Sequence, residues 1–486
     1  MKILSAINDD ILRPIRAFRP TYLPLLMVYF AYGALGLIDV SRDMWIKESL
    51  TLNPAELASI SVWLALPWTV KMVFGEMVDS VPLLGSQRRA YVWFGAGLTA
   101  VGLVILAGAA GKWLAFLPAD QLYLLGAMLM VIGAVIQDVV ADAMSTEVVA
   151  RVDADGKPRN DDDVRHELGM VQVLGRLALS FGTLAVAGAS GWAASIWSRE
   201  TVFLAGLVVP LISVTGVMLI RAETSERRPI DWRILGGGIA FGAVVTALGV
   251  GGVPYSQEIV FVVSMAVICG MLVFVTRDLD HKSRLAIFYT SIIIFAFRAV
   301  PSVGDGYFWF TLDVLKFDES FYGSLRQTSA LIGIVAIWLL AKQLTGYSIV
   351  KTMFWLTIIG TVLSLPDVAL YFGIHEWTER VFGFGARSIA LVNAAASSPF
   401  VDLSMIPLLA LIAYYAPAGH RATWFALMAS LTNLALVAGE LQTKYLNQIF
   451  VIGRGEYSQL GGLMIADLVL GLVIPIGAII LFGRRV

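Results

Sequence analysis

The sequence predicts an all-α integral membrane protein of two similar six-helix halves with two further helices between them. Three observations carry that prediction. Of 486 residues 58% are hydrophobic and 15% charged, with a mean hydropathy of +0.78, whereas soluble domains carry about a quarter charged residues. Apolar runs recur along the whole chain and leave no stretch for a water-soluble domain. Segments of the first part of the chain reappear in the last part. The net charge is -1 and no basic tract is present, so no nucleic-acid partner is expected. The single cysteine, Cys269, lies in an apolar run, and His166, His281, His375 and His420 are scattered, so the sequence points to no disulfide, metal or cofactor.

At about 20 apolar residues per crossing, the spans fall at 22–45, 56–80, 91–111, 120–150, 167–195, 201–221, 234–252, 258–276, 285–312, 320–343, 348–373, 386–416, 420–447 and 458–483, which makes fourteen. The pair at 234–276 has a re-entrant or interfacial alternative, and removing both would leave twelve. Gly33, Pro67, Gly175, Pro301, Pro399 and Pro407 within these runs predict tilted, kinked helices. Glycine pairs such as Gly238 and Gly242 predict helix contact. Ahead of the first span, Ile3, Ile7, Ile11, Ile15 and Phe18 recur near helical spacing between Arg13, Arg16 and Arg19, which suits either an interfacial helix or a frayed tail.

Lys and Arg set the orientation. With the N-terminus inside, 22 of them fall on the inner side, 9 on the outer side and 4 in the spans, the last being Lys71, Arg176, Arg298 and Arg326. A positive inner side places both termini of a multi-pass protein in the cytoplasm.

The repeat joins 46–60 (IKESLTLNPAELASI) to 312–326 (LDVLKFDESFYGSLR) and 136–144 (IQDVVADAM) to 400–408 (FVDLSMIPL), pairing Asp138 with Asp402 and His166 with His420. Six spans in 1–221 thus match six in 284–486, with 222–283 a connecting segment that holds the two extra spans. Two such halves resemble secondary transporters of the major facilitator type, with a substrate site near the bilayer midplane between the halves.

Acids in hydrocarbon need a reason. A carboxylate at the bilayer centre costs at least about 2.5 kcal/mol. Asp138 and Asp142 stand at i and i+4 on one helix face, about 6 Å apart, near mid-depth and one turn further in. Two like charges so close disfavour simultaneous ionisation, as a proton-coupling pair requires. Glu147 and Arg151 repeat the spacing at the cytoplasmic end, where a structural ion pair is the competing reading. Lys71, Arg176 and Arg298 lie too deep in their runs to snorkel comfortably, and Arg298 with Asp402 gives the second half its own basic and acidic groups. For each of these a packing ion pair is the alternative. At the inner face, GEMVDSVPLLGSQRRAY (75–91) offers Gly75 for close helix approach, Asp79 to close a helix and Arg88 and Arg89 to open the next. Loop 152–163 is acidic and turn-rich, and reads as a solvated linker.

Three stretches resemble the folate–biopterin transporter family of the major facilitator superfamily: 29–57, 66–91 and 138–151. The second carries Leu66, Pro67, Trp68, Lys71, Gly75, Asp79, Pro82, Gly85, Arg88, Arg89 and Tyr91, and the third Asp138, Val139, Val140, Asp142, Ala143, Glu147 and Arg151. The likeness lies mainly in the first 180 residues. It implies proton symport of a pterin, folate or similar organic anion across the lipid bilayer by alternating access. Asp138 and Asp142 would couple protons. Lys71, Arg176, Arg298, Asp402 and Trp68 would bind substrate, and Gly75, Asp79, Arg88, Arg89, Glu147 and Arg151 would form a cytoplasmic gate. Trp63, Tyr307 and Trp309 offer further stacking surfaces, although aromatic residues in spans also serve packing or lipid contact. A non-transporting membrane assembly factor of the same superfamily is the alternative. No nucleophile with a base, ligand cluster or catalytic domain speaks for an enzyme.

Overall fold

A computed structural model describes residues 16–150, 152–153, 157–220, 229–277, 279–344, 349–403 and 421–485. The regular structure among these is all helix, joined by turns and short irregular segments, with no β-strand. Residues 1–15, which hold most of the proposed interfacial helix, and Arg151 and His420 lie outside the described residues. Ten of the described helical segments are long and apolar enough to cross a membrane. Four predicted spans, 285–312, 320–343, 386–416 and 420–447, hold helix as well but are not among the ten. Polar residues dilute them, such as Arg298, Arg326, Glu440 and Lys444, and 404–420 lie outside the description.

By contacts the chain divides into two compact units, 1–49 with 73–235 and 50–72 with 236–486. The first holds α1 (Leu23–Ala34), α2 (Asp39–Ser49), α4 (Lys71–Ser80) from Val73 onward, α5 (Arg89–Ala110), α6 (Ala119–Glu147), α7 (Asp161–Ile196), α8 (Arg199–Ala205) and α9 (Val208–Met218). Its helices meet through glycine. A Cβ on Gly33 would stand 2.0 Å from the Leu179 carbonyl oxygen, and one on Gly182 would stand 2.1 Å from that of Phe30. Gly95 and Gly133 bring α5 and α6 together in the same way, at 2.7 and 2.4 Å from each other's carbonyl oxygens. Hydrocarbon gives helices no hydrophobic reason to associate, so close backbone approach supplies the dispersion contact instead.

The second unit holds α3 (Pro54–Thr69), α10 (Trp232–Val250), α11 (Ser256–Val275), α12 (His281–Arg298), α13 (Asp305–Asp313), α14 (Glu319–Leu344), α15 (Ile349–Tyr371), α16 (Ile374–Phe382), α17 (Ala386–Leu403), α18 (Arg421–Ile449) and α19 (Leu460–Phe482). Asn53 and Glu56 form a capping box that starts α3, each side chain bonding the other's backbone N–H, at 3.0 and 2.8 Å. The predicted span 56–80 is broken at Val70, where φ is -104° and ψ 21°. Span 285–312 is broken too, because the backbone of 299–304 leaves the helix. Helix α18 repairs that break: Gln442 Nε2 donates to the Ala299 carbonyl, Asn447 Nδ2 to the Val303 carbonyl at 3.2 Å, and Thr443 Oγ1 accepts from Ser302 N at 2.9 Å. Irregular backbone is tolerated at membrane depth when other parts of the protein satisfy it.

The expectation for Gly242 is overturned. A Cβ there would meet nothing within 4 Å, nor would one on Gly236 or Gly237, whereas one on Gly249 would reach the Trp63 ring of α3 at 3.4 Å. Helix α10 buries 6% of its most apolar window, and its partly buried residues Phe241, Val245 and Leu248 pack on a core that includes Val62 and Leu66 of α3.

Candidate functional site

In the first unit, Asp138 and Asp142 project from α6 near α1 and α7. Gly175 of α7 lies against the ring of buried Tyr29, where a Cβ would stand 2.7 Å from Cε2. That seat aims the Tyr29 hydroxyl at α6, and it donates to Asp142 Oδ1 at 2.8 Å. The charges of Asp138 and Arg176 also act on this hydroxyl. Asp142 and Arg176 are exposed and Asp138 is half-buried. One turn on, Gln172 Nε2 donates to Ser145 Oγ at 2.6 Å and Ser145 Oγ to the Asp142 carbonyl at 2.6 Å, tying α7 to α6. The arrangement can hold a proton or a charged group beside a carboxylate whose position a neutral phenol fixes.

At the end of α6 lies the second group. Buried Arg88 donates from Nη2 to Glu147 Oε1 at 2.5 Å and to Asp79 Oδ1 at 3.0 Å, and from Nε to Glu147 Oε2 at 3.2 Å. The residues around it finish α4, whose last carbonyls have no intrahelical partner. Gln87 Nε2 donates to the Asp79 carbonyl at 2.6 Å, and the Tyr91 hydroxyl to those of Met77 and Val81 at 2.9 and 2.6 Å. Between Asp79 and Arg88 the chain reverses in a tight turn, Leu83 to Ser86, with Leu84 and Gly85 both at positive φ (49° and 79°).

The expected gate residues part company here. Asp79, Arg88 and Glu147 come together. Arg89 instead donates to the Ile220 carbonyl. Gly75 is not crowded: a Cβ there would reach only Val139 Cγ1, at 4.0 Å, so close helix approach is not its reason. Arg151 lies outside the described residues, and Glu147 meets Arg88.

Trp68, Lys71, Arg298 and Asp402 belong to the second unit. Trp68, half-buried, contributes its carbonyl oxygen, which accepts from Asn433 Nδ2 of α18 at 2.9 Å. Lys71 opens α4 and Arg298 closes α12, both half-buried. Asp402 is placed on α17 by its backbone alone.

Sequence reasoning missed Tyr29 and Glu167. Glu167 accepts from Tyr22 at 2.7 Å and from Arg19 and Arg159 at 2.8 Å each. A tyrosine in an apolar run reads as packing, but an acid beside His166 at the mouth of the fifth span was a visible signal.

A sequence model of the BT1 family matches residues 33–486. The chain belongs to the BT1 family. Among its relatives is the folate-biopterin transporter of Synechocystis, 27% identical over 87% of this chain and 75% of the relative. A probable folate-biopterin transporter of Arabidopsis thaliana is 20% identical over 91% and 92%. The crystal structure of a POT family transporter in complex with 5-aminolevulinic acid matches with a TM-score of 0.67 at 14% identity, covering 96% of each chain. At that identity the likeness shows the fold, which is of the major facilitator type. This BT1 family member is therefore a multi-pass membrane protein of a transporter family and not an enzyme.

Proposed function

We propose that this BT1 family member is a secondary active transporter, proton-coupled, of a pterin, folate or similar organic anion. It works by alternating access, with the half 1–221 rocking against 284–486 and the connecting segment 222–283 between them. Fourteen crossings with both termini in the cytoplasm of an inner membrane complete the topology. One observation supports this most: Asp142, exposed within a membrane-spanning helix, is bonded to the neutral hydroxyl of Tyr29, with Asp138 beside it. A carboxylate at membrane depth is costly unless a partner, a proton or water attends it, and a phenol hydroxyl can serve it in either protonation state. Lys71, Arg176, Arg298 and Asp402 are the proposed charged substrate contacts and Trp68 a stacking surface. Arg88 with Asp79 and Glu147 is the proposed inner latch, to which Gly75, Arg89 and Arg151 are adjacent in sequence.

The test is uptake of labelled folate, biopterin and an unrelated anion into proteoliposomes with and without an imposed pH gradient. Folate or biopterin should accumulate only with the gradient. Asp138→Asn and Asp142→Asn should each reduce that accumulation at least about tenfold while the protein remains folded, in keeping with loss of a proton-transfer group. Undiminished uptake in both variants would refute the proton assignment, and failure of every compound to move would favour the assembly-factor reading.

A further inference from the structure

Asp367 sits on α15, next to Pro366 and inside the apolar segment 350–371. Its Oδ1 accepts from the Tyr307 hydroxyl of α13 at 3.0 Å, and its Oδ2 from Asn393 Nδ2 of α17 at 3.1 Å. Asn393 is 8% exposed, and its Oδ1 accepts from Ser397 Oγ at 3.4 Å. Four residues, about 6 Å of helix, separate Asp367 from the end of α15, too far for a side chain this short to snorkel.

Among the described residues, the groups that bond to this carboxylate are neutral. From α13 the titratable group is Tyr307, itself within reach of Tyr322 of α14. From α17 it is the amide of Asn393. The neighbouring helices carry Asp467 on α19 and Glu376, Glu379 and Arg380 on α16, none of which bonds to it among the described contacts. Among the described residues no cation balances Asp367, and an unbalanced carboxylate in hydrocarbon is costly enough to demand a proton or water. The first unit holds the same motif, with Tyr29 donating to Asp142.

We propose that Asp367, held by Tyr307 and Asn393, is a second proton-binding group, located in the second unit. A hydronium ion supplies the proton: one of its O–H bonds breaks as an O–H bond forms on one carboxylate oxygen, leaving a water molecule and a neutral Asp367. That oxygen then donates where it had accepted. If that oxygen is Oδ1, the Tyr307 hydroxyl rotates to accept and Asn393 keeps its bond to Oδ2; if it is Oδ2, the Asn393 amide must turn over or let go, and the change is felt between α15 and α17. The proposal rests on the reading of the chain as a proton-coupled carrier, and its test does not depend on uptake.

Infrared difference spectra of the full chain in detergent, stepped between about pH 4 and 9 to cover shifted carboxylates, report protonated carboxyl groups directly. One carboxylic C=O band should vanish in Asp367→Asn and survive in Asp142→Asn, Glu440→Gln and Asp467→Asn. Tyr307→Phe should keep that band and move its midpoint up by about one pH unit, since it loses one donor to the charged form. Spectra of Asp367→Asn identical to those of the unmodified protein would overturn the proposal. If that variant does not fold, an unmoved midpoint in Tyr307→Phe overturns it equally. Uptake indifferent to a pH gradient, with this band intact, would defeat the proton-coupled reading of the carrier and leave the proton site standing.

Discussion

Arg88 shows how one buried cation organises a membrane boundary. Its guanidinium spans Asp79 and Glu147, each carboxylate about a third exposed, while its own side chain is 7% exposed. Arg88→Ala would leave two acids facing each other, and partial solvation moderates the cost to about 2 kcal/mol. Arg88→Lys keeps the charge but not the fork and should fall between the two, as read by thermal unfolding in detergent. The loss should shrink in high salt if solvent reaches the acids. These charges were legible in the sequence because they interrupt apolar runs. Tyr29 was not, since a hydroxyl at the edge of a ring looks like any packing aromatic until its acceptor is known. Asp367 and Glu440 were equally visible as acids in apolar runs, yet the motifs drew attention to the first 180 residues and away from them.

Among elements, the α1–α7 contact is set by glycine and the α10 surface is not. Gly182→Ala places a methyl group where the Phe30 carbonyl oxygen already stands, and should cost about 1–3 kcal/mol by forcing two helices apart. Gly237→Ala meets nothing and should stabilise α10 by up to about 1 kcal/mol through reduced backbone freedom in the unfolded chain. Melting temperatures of the two variants should move in opposite directions. The sequence revealed where apolar rods lie because hydropathy integrates over 20 residues. It did not reveal which glycines face a neighbour, because the letter is the same on a crowded face and a bare one. Nor did it reveal that 299–304 is fully out of the helix, since Pro301 alone is compatible with a simple kink and the compensating hydrogen-bond partners lie some 140 residues away on α18.

For the whole molecule, the repeat and the packing divide the chain differently. The repeat sets 1–221 beside 284–486, but by contacts the chain passes between compact units at 49/50, 72/73 and 235/236. Cutting it between 221 and 228 should therefore yield no self-sufficient piece. Either fragment expressed alone should aggregate on size exclusion, and the two co-expressed should elute as one monodisperse complex. A monodisperse N-terminal fragment would contradict the division. Hydropathy could not anticipate this, because α3 is apolar whichever unit receives it. The sequence order has a temporal meaning as well. Helix α3 leaves the ribosome before any other helix of its unit has been made, and the Trp68 carbonyl at its end waits 365 residues for the amide of Asn433. Until then its exposed backbone oxygen must borrow a partner from lipid headgroups, insertion machinery or stray water, so the early helix is a lodger in the membrane whose permanent place is built only when synthesis is nearly over.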